Sequence, residues 1–246
     1  MSEDTTRLSD SERRTVLGSI AGLTALGVLG SSPVAGEEDD TVANDEEFDG
    51  LDPGEVIDTW DEEPHDIAVE ICERYGDPDE VVPSRLIWHH EDDDAPWKRT
   101  ELWRDPVPHN VPMAHNDYLE QFIDYHVPPR LYDEIAHYDG SVMLERTKGE
   151  VSARCDAEAM NFLAVNLTHD IVMGEKTARA ARHAYAEDAM AFMDGEEPDS
   201  TQELQFDVPE DDQWDPDVEI IVDGEIRHGT MLAHPGADDP DEHADT

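Results

Sequence analysis

The chain has 246 residues, of which 63 are Asp or Glu and only 16 are Lys or Arg, for a formal net charge of −47. So strong a negative field excludes nucleic acid as a partner. It also opposes compaction unless salt screens it, as happens near 1 M, where the Debye length is about 3 Å.

At the N-terminus, Arg13 and Arg14 precede "TVLGSIAGLTALGVLGSSPVAG", and an acidic run follows from Glu37. A charged region, an apolar region and small residues at a cleavage point mark residues 1–36 as an export signal. The arginine pair followed by Val16 and Leu17 resembles a twin-arginine (Tat) signal, with Glu12, Thr15 and Gly18 departing from that pattern. The resemblance implies the Tat translocase as a partner during export and an extracellular or cell-surface destination. Gly18 to Val34 falls short of the ~20 residues a spanning helix needs, so cleavage near Ala35 or Gly36 leaves no stable membrane span. The acid-rich composition, with Lys only at positions 98, 148 and 176, resembles that of halophilic archaeal proteins.

Residues 37–64 read as an acidic linker and 65–195 as the globular domain. Ile67, Ile71, Cys72 and Tyr75 have helical spacing, with Gly76 and Pro78 as the stop. "SRLIWHH" and "WKRTELWRD" read as two strands joined across the acidic loop 91–96. The stretch 117–126 fits a helix or a strand equally. "SVMLERT" and "EVSARCD" read as a second hairpin turning at Lys148-Gly149, with Glu145 opposite Ser152. Its core face is Val142, Leu144, Val151, Ala153 and Cys155, and its open face Glu145, Thr147, Glu150, Ser152 and Arg154. Helices follow over 156–173, apolar on most sides, and over 177–193, ending at Gly195. Residues 196–246 read as an acidic extension carrying a hairpin at 218–232, with Asp223-Gly224 at its turn. The fold class expected is α+β: an antiparallel sheet of two or more hairpins against two to three helices, with acidic disordered flanks.

Two groups of residues carry chemistry. His109, His115, Asp117 and Glu120 offer imidazole and carboxylate donors, and His109, His115 and Glu120 are the set assigned to a divalent metal. Eight of the 16 basic residues fall within 85–154, and on those strands Arg99, Glu145 and Arg154 are assigned to a small anionic ligand, since guanidinium presents a planar fork to oxyanions. Cys72 and Cys155 both point toward core faces and, in an exported protein, form a candidate disulfide. No GxSxG elbow, P-loop or GxGxxG cradle is present. The function expected is an exported, halophilic domain that binds a small anion; the alternative is a metal-assisted hydrolase or lyase built on a His/Glu site.

Overall fold

The computed structural model describes residues 50–90 and 95–226; the export segment with Arg13 and Arg14, the stretch before Gly50 and the chain beyond Ile226 lie outside the described residues. Helices α1 (Pro53–Ile57) and α2 (Glu62–Tyr75) come first, then strands β1 (Glu80–Val82), β2 (Arg85–His89), β3 (Arg99–His109) and β4 (His115–Asp124). Helix α3 (Tyr132–Tyr138), the hairpin β5 (Val142–Glu145) and β6 (Glu150–Cys155), and helices α4 (Glu158–Val172) and α5 (Ala178–Met193) complete the body. A two-residue pair, β7 (Ile221–Val222) and β8 (Glu225–Ile226), stands apart. The first six strands form one antiparallel sheet in the order β1-β2-β3-β4-β6-β5. The fold is thus α+β, as expected. Among the described residues no helix is long and apolar enough to cross a membrane.

Alternation along the strands supplies one apolar face, covered in two parts. Leu86, Trp88, Leu102 and Leu119 pack with Ala68 and Ile71 of α2, while Ile123, Val151, Ala153 and Cys155 pack with α4 and α5. Acidic residues open α2, Arg74 lies in its last turn, and Gly76 at φ +83° ends it, in keeping with the helix dipole and with a left-handed stop. α4 is buried on most sides, so its polar residues need internal partners. Asn161 donates to the Leu119 carbonyl and to Gln121 Oε1.

At the start of α4, Glu158 Oε1 accepts hydrogen bonds from Tyr75 Oη (2.5 Å), Trp97 Nε1 (2.6 Å) and Gln121 Nε2 (2.9 Å), and Arg74 pairs with Oε2. One carboxylate therefore ties α2, the sheet and α4 together.

The body extends past both expected boundaries. Val56, Ile57 and Trp60 of the supposed linker are buried, and Trp60 Nε1 donates to the Pro83 carbonyl. Three apolar side chains within five residues are enough to fold a short acidic segment onto the sheet. At the other end, residues 199–217 form a strap: Leu204, Phe206 and Val208 pack on the α4 core, and Asn166 bonds Ser200, Glu203 and Gln205 backbone groups. Further along, Arg146 pairs with Asp215 and Asp217. Gly149, at φ +67°, lies so close to the Gln213 and Trp214 backbone that a Cβ there would collide with it.

Residues 115–124 are a strand, because hydrogen-bonded neighbours on both sides, β3 and β6, satisfy their backbone. The β5–β6 register differs from the expected one by two residues, Glu145 pairing with Glu150, because the connection holds four residues. An even shift leaves the faces unchanged. The face expected to be open is nonetheless partly closed, with Glu150 and Ser152 buried under neighbouring side chains. Ile221 pairs with Ile226 as expected, with Asp223 and Gly224 both at positive φ. The expected disulfide is not formed: Cys72 and Cys155 are free thiols, and they belong to opposite parts of the core.

Candidate metal centre

β3 and β4 pair regularly at Leu102 and Leu119, then shift, so that Val107 pairs with Asp117 and His109 with His115. Four residues of β3, Trp103 to Pro106, stand opposite Tyr118 alone. Pro106 and Pro108 lack the N–H that a regular ladder would use, so the strand bulges where they occur. The two histidines end up directly across the hairpin, their ring centroids 5.1 Å apart.

Asp117 is 1 % exposed and lies between them. Its Oδ1 is 3.0 Å from His115 Nε2 and 3.4 Å from His109 Nδ1. One donor atom from each of the three residues lies within 4.8 Å of the others. The far nitrogens face oxygen atoms as well. His115 Nδ1 is 2.8 Å from the Met113 carbonyl, which can only accept, so this nitrogen carries a proton and Nε2 is the one turned to Asp117. His109 Nε2 is 3.2 Å from Asp139 Oδ1, and that oxygen accepts from Ser141 N and Oγ at 2.8 Å each. Asp139 arrives from the end of α3 and is likewise 1 % exposed.

The two contacts of Asp117 have the spacing of neighbouring ligands in a coordination shell. Donors about 2.1 Å from an ion, at angles between octahedral and tetrahedral, stand about 3.0–3.4 Å apart. Among the described residues neither His109 nitrogen and neither Asp117 oxygen has a well-aligned hydrogen bond, close as the contacts are. Imidazole nitrogens turned to one carboxylate oxygen, with a carbonyl or a carboxylate behind the ring, resemble the usual outer arrangement of a metal-ligating histidine. The same carboxylates act on a proton as they would on an ion: Asp117, then Asp139, outweigh burial and raise the His109 pKa to about 9. A proton on His109 and a divalent ion therefore compete for the same place.

Glu120, assigned to the metal from the sequence, faces other partners. Its Oε1 accepts from Ser152 Oγ at 2.6 Å and its Oε2 is 3.7 Å from Arg154; burial raises its pKa against the opposing effects of Ser152 and Arg154. Asp117 occupies the position expected of Glu120, and Asp139, 22 residues further along the chain, joins from α3. Arg99, Glu145 and Arg154 are each engaged separately. Arg99 pairs with Glu101 and Glu150 and lies over the Phe122 ring; Glu145 accepts from Thr147; Arg154 Nε is 3.7 Å from Asp117 Oδ2. Of these three, Arg154 alone borders the histidines.

Two hollows meet at His115 and Asp156. One, of about 250 Å³, runs between α4 and α5, its walls including Met160, Tyr185 and Phe192, with Cys155 at one end. The other, of about 480 Å³, is polar and includes Glu63, Asn116 and Tyr118. Cys155 Sγ is 3.5 Å from His115 Nε2, and burial, followed by the Asp156 charge, pushes the thiol pKa well up. Comparison of the chain with protein-family models, with curated proteins and with solved structures returns no match.

Proposed function

We propose that this is an exported, metal-assisted hydrolase in which His109, His115 and Asp117 hold a divalent transition-metal ion. The observation that carries the reading is that one nitrogen of each imidazole faces the same oxygen of the buried Asp117 carboxylate, with the Met113 carbonyl bonded behind His115 and Asp139 Oδ1 3.2 Å behind His109. Two nitrogens and one carboxylate oxygen suit zinc, iron, cobalt or manganese better than calcium or magnesium. When bound, such an ion supplies Lewis acidity and lowers the pKa of a coordinated water. The chain's own residues do the rest. Asp139 fixes the His109 ring, the Met113 carbonyl fixes the His115 tautomer, and Arg154 orients an anionic group beside Asp117. Asp156, lining both hollows, accepts a proton from water that enters by the polar side.

Binding of an anion by the strand arginines alone has less support, because Glu101 and Glu150 already neutralise Arg99. The test is elemental analysis of protein purified in brine, followed by chelation and cobalt titration. One ion per chain is expected, lost in His115→Ala and Asp117→Asn, with hydrolysis of an activated ester that chelation abolishes. Protein that takes up no stoichiometric metal from a series of zinc, cobalt, manganese and iron would overturn the reading.

A further inference from the structure

The hollow between α4 and α5 is a half-open groove lined largely by apolar or weakly polar groups: Met160, Ala189 and Phe192, with Tyr185. Met113 and Met193 stand at its rim, 54 % and 57 % exposed. Exposed, unbranched methionines at a cavity mouth adapt to guests of varied shape. One end is different in kind, for there it meets the half-buried His115, the buried Cys155 and the exposed Asp156. An apolar cavity of about 150 Å³ is enough for a benzene ring, so about 250 Å³ admits a ring or a chain of roughly six carbons together with a small head. No side chain lining the apolar part carries a charge to pair with a charged tail, and a strongly polar tail would lose its hydration there.

We infer that this hollow is the specificity pocket of the site and that its ligand is a short acyl or alkyl compound, its apolar tail between α4 and α5 and an oxygen-donor head at His115. The tail depends on the cavity alone; the position of the head rests on the metal reading above. Tail length therefore governs affinity until the cavity is filled, after which further methylenes emerge past Met113 and Met193.

The test uses cobalt-loaded protein and straight-chain hydroxamates from two to eight carbons, followed by the visible spectrum of the ion. Affinity is expected to rise about three- to fourfold per methylene up to about six carbons and then to level off. Ala189→Phe, which narrows the cavity, and Met193→Trp, which obstructs the rim without touching the core, should flatten the series while leaving cobalt affinity unchanged. A flat series in the parent protein with normal cobalt uptake overturns the pocket and leaves the metal reading standing. In metal-free protein, n-alkanols followed by saturation-transfer NMR probe the tail by itself. Hexanol saturation that exceeds that of ethanol and is lost in Met193→Trp supports the pocket even where cobalt fails to bind, whereas equal or absent saturation overturns it.

Discussion

Replacing Glu158 with alanine removes one acceptor shared by three donors, of which, among the described residues, only Gln121 Nε2 has another hydrogen bond, at 3.4 Å to Thr100 Oγ1. Two of them, Trp97 Nε1 and Gln121 Nε2, belong to side chains no more than 2 % exposed, so water cannot take the place of the lost oxygen. A buried donor left unpaired costs about 1–3 kcal/mol, so these two alone cost about 2–6 kcal/mol. Tyr75 adds less because it is only partly buried. The Arg74 pair is discounted, since that side chain is 49 % exposed and its attraction is screened. The expected loss is therefore about 3–5 kcal/mol, a large part of the 5–15 kcal/mol that keeps a domain folded. Glu158→Gln keeps an oxygen in place and should cost about 1–2 kcal/mol. Urea unfolding in concentrated salt, followed by tryptophan fluorescence, measures both variants; an unchanged m-value would show that midpoint shifts report stability. If both variants unfold within about 0.5 kcal/mol of the parent, the reasoning that this carboxylate joins α2, the sheet and α4 is refuted.

Gly149→Ala is expected to cost about 1–3 kcal/mol, because it strains a left-handed residue and drives a methyl group into the strap backbone; limited proteolysis should then cut first within 199–217, and an unchanged cleavage pattern would show that the strap is not held there. Burial alone would raise the Glu150 pKa, but the hydrogen bonds from Lys98 and Arg99 outweigh it and the folded value lies below the ordinary one. Its contribution is thus present above the unfolded carboxylate range, near pH 4.3, and is lost as the pH falls through the folded value. Because acid also relieves the overall negative charge, the measurement is a difference: the melting temperature of the parent should fall further between pH 5 and pH 3 than that of Glu150→Gln, and parallel curves would contradict the ion pair.

What could be read from the sequence depended on how far apart the determining residues lie. Val142, Leu144, Val151 and Ala153 alternate within two short strands, so their core face was legible even with the register two residues off. α4 was legible because its apolar residues are dense enough to leave little polar surface. The stretch after His115 was not, since Leu119 and Ile123 satisfy both periods, and only the flanking strands decide between them. His109 and His115 stood out by type and nearness, and Asp117 stood beside them as a candidate donor, but Glu120 was preferred to it for the metal. Spacing alone does not separate Asp117 from Glu120, whereas the bulge at the prolines brings Asp117 to the histidines. Asp139 gave no local signal at all, because the path of the chain from β4 to β5 delivers it. α1 and the strap were masked by charge: a composition window over 37–64 or 196–217 is dominated by Asp and Glu, and the few buried residues there do not change its average.

The strap also bears on the order in which the molecule assembles. Four of the five pairings in the sheet join strands that are consecutive in the chain, with β4–β6 the exception, so most of the sheet can zip from short loop closures. The strap closes far longer loops. Asn166 reaches partners 34 to 39 residues away, and Gln213 accepts a hydrogen bond from the His126 backbone across 87 residues. During synthesis from the N-terminus, the polar side chain in the middle of α4 is therefore without its final partners until the acidic segment beyond Gly195 has emerged. The last stretch to dock, residues 199–217, holds eight acidic residues and no basic one, so the closing step of folding is sensitive to the salinity of the surroundings.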